Sequence, residues 1–215
     1  HCALLEPKAF AERYAIKPAG LNLSTKEGRA WKAEHQGREQ LSAEEYRHLD
    51  LMRDRLCPAI RSILDDSDGR PEVTFRIDDD GLPLQCRLDW WRRSSHAIHD
   101  LKTTTRFSSF ARAAHDLGYA FSAAWYCHVY YRELGVWPTF DFLVVEAVPP
   151  FRSAIFTPTD AFLAYGRKQV NDLLPRLRAA HLSGEFRSDC PEHLNLDLPG
   201  FVRTADLDDE AGFLL

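Results

Sequence analysis

The sequence contains no apolar run near the roughly 18 residues that a membrane-spanning helix needs, and no basic-then-apolar opening like that of a secretory signal. Cysteine is sparse and solitary. Cys2, Cys57, Cys86, Cys127 and Cys190 stand singly and are odd in number, which argues against a disulfide framework or a zinc spacing and fits free or buried thiols in a reducing cytoplasm. There is no internal repeat, no low-complexity tract and no second domain. Positive charge is not in excess either: 27 Lys and Arg face 32 Asp and Glu, a net −5, which is a poor overall signature for a nucleic-acid binder. The chain opens on His1-Cys2 without an initiator Met, as a fragment or a trimmed chain would.

What is present is enough for one globular domain over residues 1–215: 45% hydrophobic and 12% aromatic residues can bury a sizeable core. Charge is uneven. Residues 81–135 hold seven basic side chains (Arg87, Arg92, Arg93, Lys102, Arg106, Arg112, Arg132) against four acidic ones, a local +3 that leaves −8 elsewhere. The segment from Asp206 to Glu210 reads as a solvated acidic tail within 206–215.

In chain order, residues 1–7 form the last turns of a helix that Pro7 brings to an exit. Ser24 to Glu27 (STKE) has capping-box form and opens a short helix through Trp31. Ser42 to Glu45 (SAEE) opens a longer one with Tyr46, Leu49, Met52 and Leu56 at helical spacing, and Pro58 kinks it or starts another. Asp65 to Gly69 and Asp78 to Gly81 resemble calcium loops, but an EF-hand register would put Leu64 or Arg76 at the first ligand position, so they are polar turns around a strand from Glu72 to Ile77. Helices are expected over 107–117 and 119–134. A central strand follows over Thr139 to Val148, then a neighbour over 152–157. A helix from Thr159 to His181 has Phe162, Tyr165, Val170, Leu173 and Leu174 inward, with an interruption near Pro175.

The chemistry concentrates in Gln85 to Thr105, QCRLDWWRRSSHAIHDLKTTT. Asp100 and Lys102 are two apart, so on a strand they share one face while Leu101 points the other way into packing. Asp89 sits near the end of an apolar run, Leu84 to Trp91, and the polar RRSS that follows can turn the chain back beside it. Two carboxylates and the Leu101 carbonyl are hard oxygen donors suited to Mg²⁺ or Mn²⁺.

The order Glu72, Asp89, then Asp100-Leu101-Lys102, within the phrases EVTF, RLDWW and IHDLKTTT, resembles the PD-(D/E)xK nuclease superfamily, and in particular its RecE (exodeoxyribonuclease VIII) branch. The resemblance implies an α/β fold of restriction-endonuclease type, a central mixed sheet flanked by helices. HCALLEPKAF has the form H-x-x-x-L-E-P-x-x-F that supplies a metal-binding histidine in that branch, which makes His1 a candidate ligand; an N-terminal His can also chelate copper, a reading that leaves the DLK stretch unexplained. The same pattern implies a supporting role for Tyr126 and places Ser122 where a glutamine is usual. Some nuclease relatives carry an iron–sulfur cluster fed by cysteines after the motif, and here only Cys127 and Cys190 follow it.

On this reading Asp89 and Asp100 hold metal, with the Leu101 carbonyl and His1 completing the shell. Glu72 reaches the site directly or through water, and Lys102 assists the nucleophile. Arg87, Arg92 and Arg106 are candidate phosphate contacts. The resemblance further implies 5′-to-3′ digestion of linear double-stranded DNA from its ends, a ring-shaped homo-oligomer and a single-strand annealing protein as partner. The rival expectations are a restriction or repair endonuclease and a catalytically silent binding domain.

Overall fold

The computed structural model describes residues 1–186; Cys190 and the acidic 206–215 segment lie outside the described residues. In chain order the elements are α1 (Cys2–Leu5), α2 (Pro7–Arg13), β1 (Tyr14–Lys17), α3 (Lys26–Glu34), β2 (Glu39–Ser42), α4 (Ala43–Asp54), α5 (Pro58–Leu64), β3 (Gly69–Asp79), β4 (Leu82–Arg92), β5 (Ala97–Thr104), a 3₁₀ turn (Phe107–Ser109), α6 (Phe110–Asp116), α7 (Tyr119–Leu134), β6 (Thr139–Glu146), β7 (Ser153–Phe156) and α8 (Asp160–Ser183).

The main sheet has the order β3-β4-β5-β6-β7. Only β5 and β6 are parallel, because α6 and α7 carry the chain across between them, whereas the other neighbours are antiparallel. β6 is apolar on both sides for a clear reason: Phe140, Phe142 and Val144 pack with Phe110, Ala123 and Tyr130 of α6 and α7, while Leu143 and Val145 pack with Leu5, Met52 and Ile60 of α1, α4 and α5 and with Leu56 in the link between α4 and α5. The result is a single α/β domain, a mixed sheet between two helical layers.

Local chemistry accounts for most boundaries. Ser42 and Glu45 form a reciprocal capping box at the start of α4, and Pro58 is the first residue of α5, a new helix. Pro7 likewise starts α2 directly after α1, so the chain turns there into another helix. The cap of α3 is Thr25, whose Oγ1 accepts from the Gly28 N–H, one residue later than the STKE pattern suggests. α8 runs through Pro175 unbroken. It crosses α7 so closely at Gly166 that a Cβ there would overlap the Ala120 carbonyl. Of its expected inward residues, Tyr165 and Leu173 are exposed, because α7 covers only the stripe through Gly166 and Val170. β1 and β2 form a separate parallel pair; strands of four residues with mixed polarity carry no periodic signal.

The feature that positions the site is a fork in the sheet. β4 pairs with β3 along its length, but it pairs with β5 only through Trp90, Trp91 and Arg92. Beyond Asp89 the β3–β4 hairpin leaves β5. The pleat also changes phase there: Leu84, Cys86 and Leu88 pack toward α7, whereas Trp90 packs on the opposite face and Trp91 takes the α7 side. Across from Asp89, Glu72 adopts φ 54°, in the left-handed region, and the ladder skips this pair without changing register. α7 spans the fork. Trp125 Nε1 donates to the Gln85 carbonyl (3.0 Å) on the departing part of β4, and the Tyr130 hydroxyl accepts from Trp91 Nε1 (3.1 Å) on the paired part.

Candidate active site

Asp89 stands at the fork, where the next ladder partner would be. Its Oδ2 accepts the Leu101 N–H at 2.8 Å, replacing a strand-to-strand bond. In an extended strand the N–H and C=O of one residue leave on the same side, so the Leu101 carbonyl is also turned toward the gap. The Leu101 side chain is fully buried on the other face with Trp90 and Leu143. Asp100 and Lys102 share the α7 face of β5, and the Lys102 ammonium lies against Asp100 Oδ2.

Asp100 is 1% exposed, and among the described residues neither of its oxygens receives a hydrogen bond from a backbone N–H or a hydroxyl. Burial pushes its pKa up to about 6, with the Lys102 charge opposing the rise and the Asp89 charge adding to it. Tyr126, on α7 between the two anchors to β4, has its hydroxyl pKa raised to about 12, mainly by burial and then by the charges of Asp100 and Asp89. It faces the two acids.

His1 caps α1, which is fixed by Leu5 in the core with Met52 and Leu56. Its Nδ1 lies 3.6 Å from Asp89 Oδ2. Ligand atoms of His1, Glu72 and Asp89 all lie within 4.8 Å of one another. The positive φ at Glu72 accompanies this placement, and Arg87 Nε holds Glu72 Oε2 at 2.6 Å. Carboxylates, one imidazole and a carbonyl, with no thiolate among them, fit a hard divalent cation. The under-partnered buried carboxylate of Asp100 fits one as well.

Other expected residues are placed differently. Ser122 lines a groove between α7 and α8 with Gln169, Asp172 and Arg176. Arg92 is paired with Asp66 at 2.6 Å. Arg106 is exposed after β5 without a side-chain partner among the described residues. The local +3 of residues 81–135 is largely cancelled in space, since Glu72, Asp66 and Asp79 reach in from outside the segment to pair with Arg87, Arg92 and Arg132.

One neighbour was missed. The Lys102 Nζ sits 5.0 Å from the centroid of the Tyr119 ring, a cation–π contact that helps to hold the ammonium. Tyr119 and Tyr126 are seven residues apart, two helical turns, so the spacing that put Tyr126 at the site put Tyr119 on the same face.

Comparison with known proteins bears on the fold and the family. No curated protein matches the sequence. Among solved structures, one described as a "putative exonuclease" from Eubacterium rectale has a similar fold, with a TM-score of 0.55 and 17% identity over 86% of this chain and 74% of that one. The family model described as "PDDEXK-like domain of unknown function (DUF3799)" matches residues 1–195. With a mixed five-stranded sheet between helices and its acids at the fork of that sheet, the chain belongs to this PDDEXK-like family.

Proposed function

We propose that this chain is a metal-dependent nuclease that hydrolyses phosphodiester bonds in DNA, acting as an exonuclease on linear double-stranded ends with Mg²⁺ or Mn²⁺. The observation that carries the reading is Asp100: a buried carboxylate left short of donors, beside a second acid and a lysine, at the point where the sheet opens. Likeness in fold to a structure described as a putative exonuclease, and the RecE-like order of motifs, support the exonuclease over other cleavage modes.

Asp89 and Asp100 would hold the cation, with Glu72, His1 and the Leu101 carbonyl as further donors. When bound, a divalent cation neutralises charge at phosphorus and lowers the cost of forming hydroxide. The protein's own groups do the rest. Lys102, in contact with Asp100 and the Tyr119 ring, presents a positioned ammonium to the charge that develops on the phosphate. Tyr126, protonated at neutral pH because its pKa is about 12, is a donor beside the acids. Asp89 keeps the Leu101 amide in place, and with it the direction of the carbonyl. Digestion in the 5′-to-3′ direction, a ring-shaped homo-oligomer, an annealing protein as partner and a cytoplasmic setting belong to the same proposal. No helix among the described residues is long and apolar enough to cross a membrane.

The test is digestion of linear 5′-phosphorylated duplex beside covalently closed circles, with Mg²⁺ or EDTA, for the wild type and Lys102→Ala. The expected result is metal-dependent loss of linear DNA alone, abolished in the variant. Cutting of circles would replace the exonuclease with an endonuclease. Binding of Mg²⁺ without cleavage of either substrate would leave a binding domain.

A further inference from the structure

Several cations of this acidic chain are paired with its own carboxylates. Arg13, Arg53, Arg87, Arg92, Arg132, Arg152 and Arg178 are all ion-paired. The cleft beside α3 is different. It is lined by Arg29, Lys32, His35 and Arg38, with Gln36 and Gln40, and among the described residues no carboxylate lines it. Arg29 and Lys32 are exposed and have no side-chain partner among the described residues.

The helix itself explains the segregation. At 100° per residue, Lys26, Arg29 and Lys32 fall along one side of α3, whereas Glu27, Trp31 and Glu34 fall along the other. Beyond the helix, Arg38 Nη2 donates to the Ala11 carbonyl at 2.5 Å and also to the Tyr14 carbonyl. That anchors the floor of the cleft to α2 and β1. The His35 ring stacks on Trp31 with centroids 4.4 Å apart, and Nδ1 donates to the Trp31 carbonyl (2.8 Å), leaving Nε2 uncommitted. Gly37, at φ 85°, turns the chain there and leaves room for a close approach to the backbone.

We propose that this cleft binds the phosphate backbone of a polynucleotide, through Arg29 and Lys32 as direct contacts, with Arg38 as flanking positive charge and His35 Nε2 as an uncommitted polar atom beside them. The proposal rests on the nuclease reading above and extends it to a second contact. α2 joins the cleft to α1 and His1, and its seven residues rise about 10 Å, so one nucleic acid can span both places. The contact reads no sequence, since it meets phosphate oxygens alone.

The experiment measures binding of a fluorescent 20-base-pair duplex, and of one of its strands, as a function of salt with Ca²⁺ in the buffer. It compares the wild type with Arg29→Ala/Lys32→Ala and Arg29→Glu/Lys32→Glu, and a Mn²⁺ titration of each variant shows whether the acid site is intact. With two phosphate contacts removed, the slope of log affinity against log salt should become shallower by about 2 on duplex or about 1.4 on single strands. Affinity in low salt should fall about tenfold or more, and charge reversal should exceed neutralisation. The substrate that loses its slope identifies whether duplex or single strand lies in the cleft. An unchanged slope on both substrates, in variants that still take up Mn²⁺, overturns the cleft and leaves the nuclease reading standing. A wild type that binds neither nucleic acid, while taking up Mn²⁺, overturns both.

Discussion

Glu146, at the end of β6, and Asp100, on the adjacent β5, are both almost wholly buried, at 2% and 1% exposure, yet their surroundings differ in kind. Glu146 is saturated. Arg152 grips it with Nε at 2.8 Å and Nη2 at 2.7 Å, and the Arg152 backbone N–H adds a third bond at 3.2 Å. Those bonds from Arg152 bring its pKa down to about 2 despite burial. Asp100 has one lysine and a like-charged neighbour, and its pKa goes the other way, to about 6. The same sheet can therefore satisfy a buried acid and does so where the acid is structural. An acid left short of partners costs stability in the free protein, and a group that arrives later can relieve that cost.

The largest effect expected from this contrast is an exchange of phenotypes. Asp100→Asn should reduce cleavage by 10³-fold or more, the scale at which positioned charge acts in catalysis, and should raise the thermal midpoint of the metal-free protein. Glu146→Gln should lower the midpoint, because Arg152 loses its charged partner, and should leave the cleavage rate of the folded fraction within a few-fold of wild type. Rate assays at saturating Mn²⁺ and melting curves in EDTA decide it. Destabilisation by both substitutions would erase the distinction between the two acids.

Much of this contrast is invisible in the sequence. The strands, α7, α8 and the sharing of one face by Asp100 and Lys102 follow from apolar alternation and a two-residue spacing. The capping box at Ser42 and the helix start at Pro58 follow from local chemistry. The fork does not, because the run from Leu84 to Trp91 reads as one continuous strand and nothing in it announces that the pleat changes phase at Asp89. Charge misled for a related reason. The positive balance of 81–135 is cancelled by acids that only folding brings near, whereas the unpaired cations of α3 lie in a stretch whose acids, counted along the chain, nearly balance its bases. Glu146 beside Arg152 is six residues from its partner across a turn, too far for a helical or strand spacing to suggest the pair.

A second, smaller effect is on pH dependence, and the two acids should give opposite signs. For Asp100 the folded pKa lies above the ordinary value of 3.8, so its contribution to stability is fully present below about pH 4 and is lost as pH rises through about 6. The gain from Asp100→Asn in EDTA should then be large at pH 7.5 and shrink toward pH 4.5, and Mn²⁺ should stabilise the wild type more at the higher pH. For Glu146 the folded pKa lies below 4.5, so its stabilisation is present above that pH and is lost as pH falls toward 2. Glu146→Gln should therefore flatten the acid limb of the stability curve. Denaturant titrations of the three proteins from pH 3 to 8 measure both slopes, and a pH-independent gain from Asp100→Asn would contradict the strained carboxylate.

The smallest effect concerns how Lys102 differs from Arg152 as a partner. Arg152 is bound to its acid by a planar fork, whereas Lys102 also lies over the Tyr119 ring, 5.0 Å from its centroid. If the ring steadies the ammonium, its face matters and its hydroxyl does not. Tyr119→Phe should then cleave like wild type, while Tyr119→Leu, of similar bulk without the quadrupole, should lose about fivefold, equivalent to a partly desolvated cation–π contact of about 1 kcal/mol. Tyr119 also packs against Phe110 and Phe142, with centroids at 6.0 and 5.7 Å, so both variants lose some stability and a melting curve alone says nothing about Lys102. The informative readout is the pair of rates at saturating DNA together with Mn²⁺ affinity, which should not change because Tyr119 touches no metal-binding acid. Equal losses in the two variants would assign the role to the hydroxyl, and no loss in either would leave Lys102 positioned by Asp100 alone.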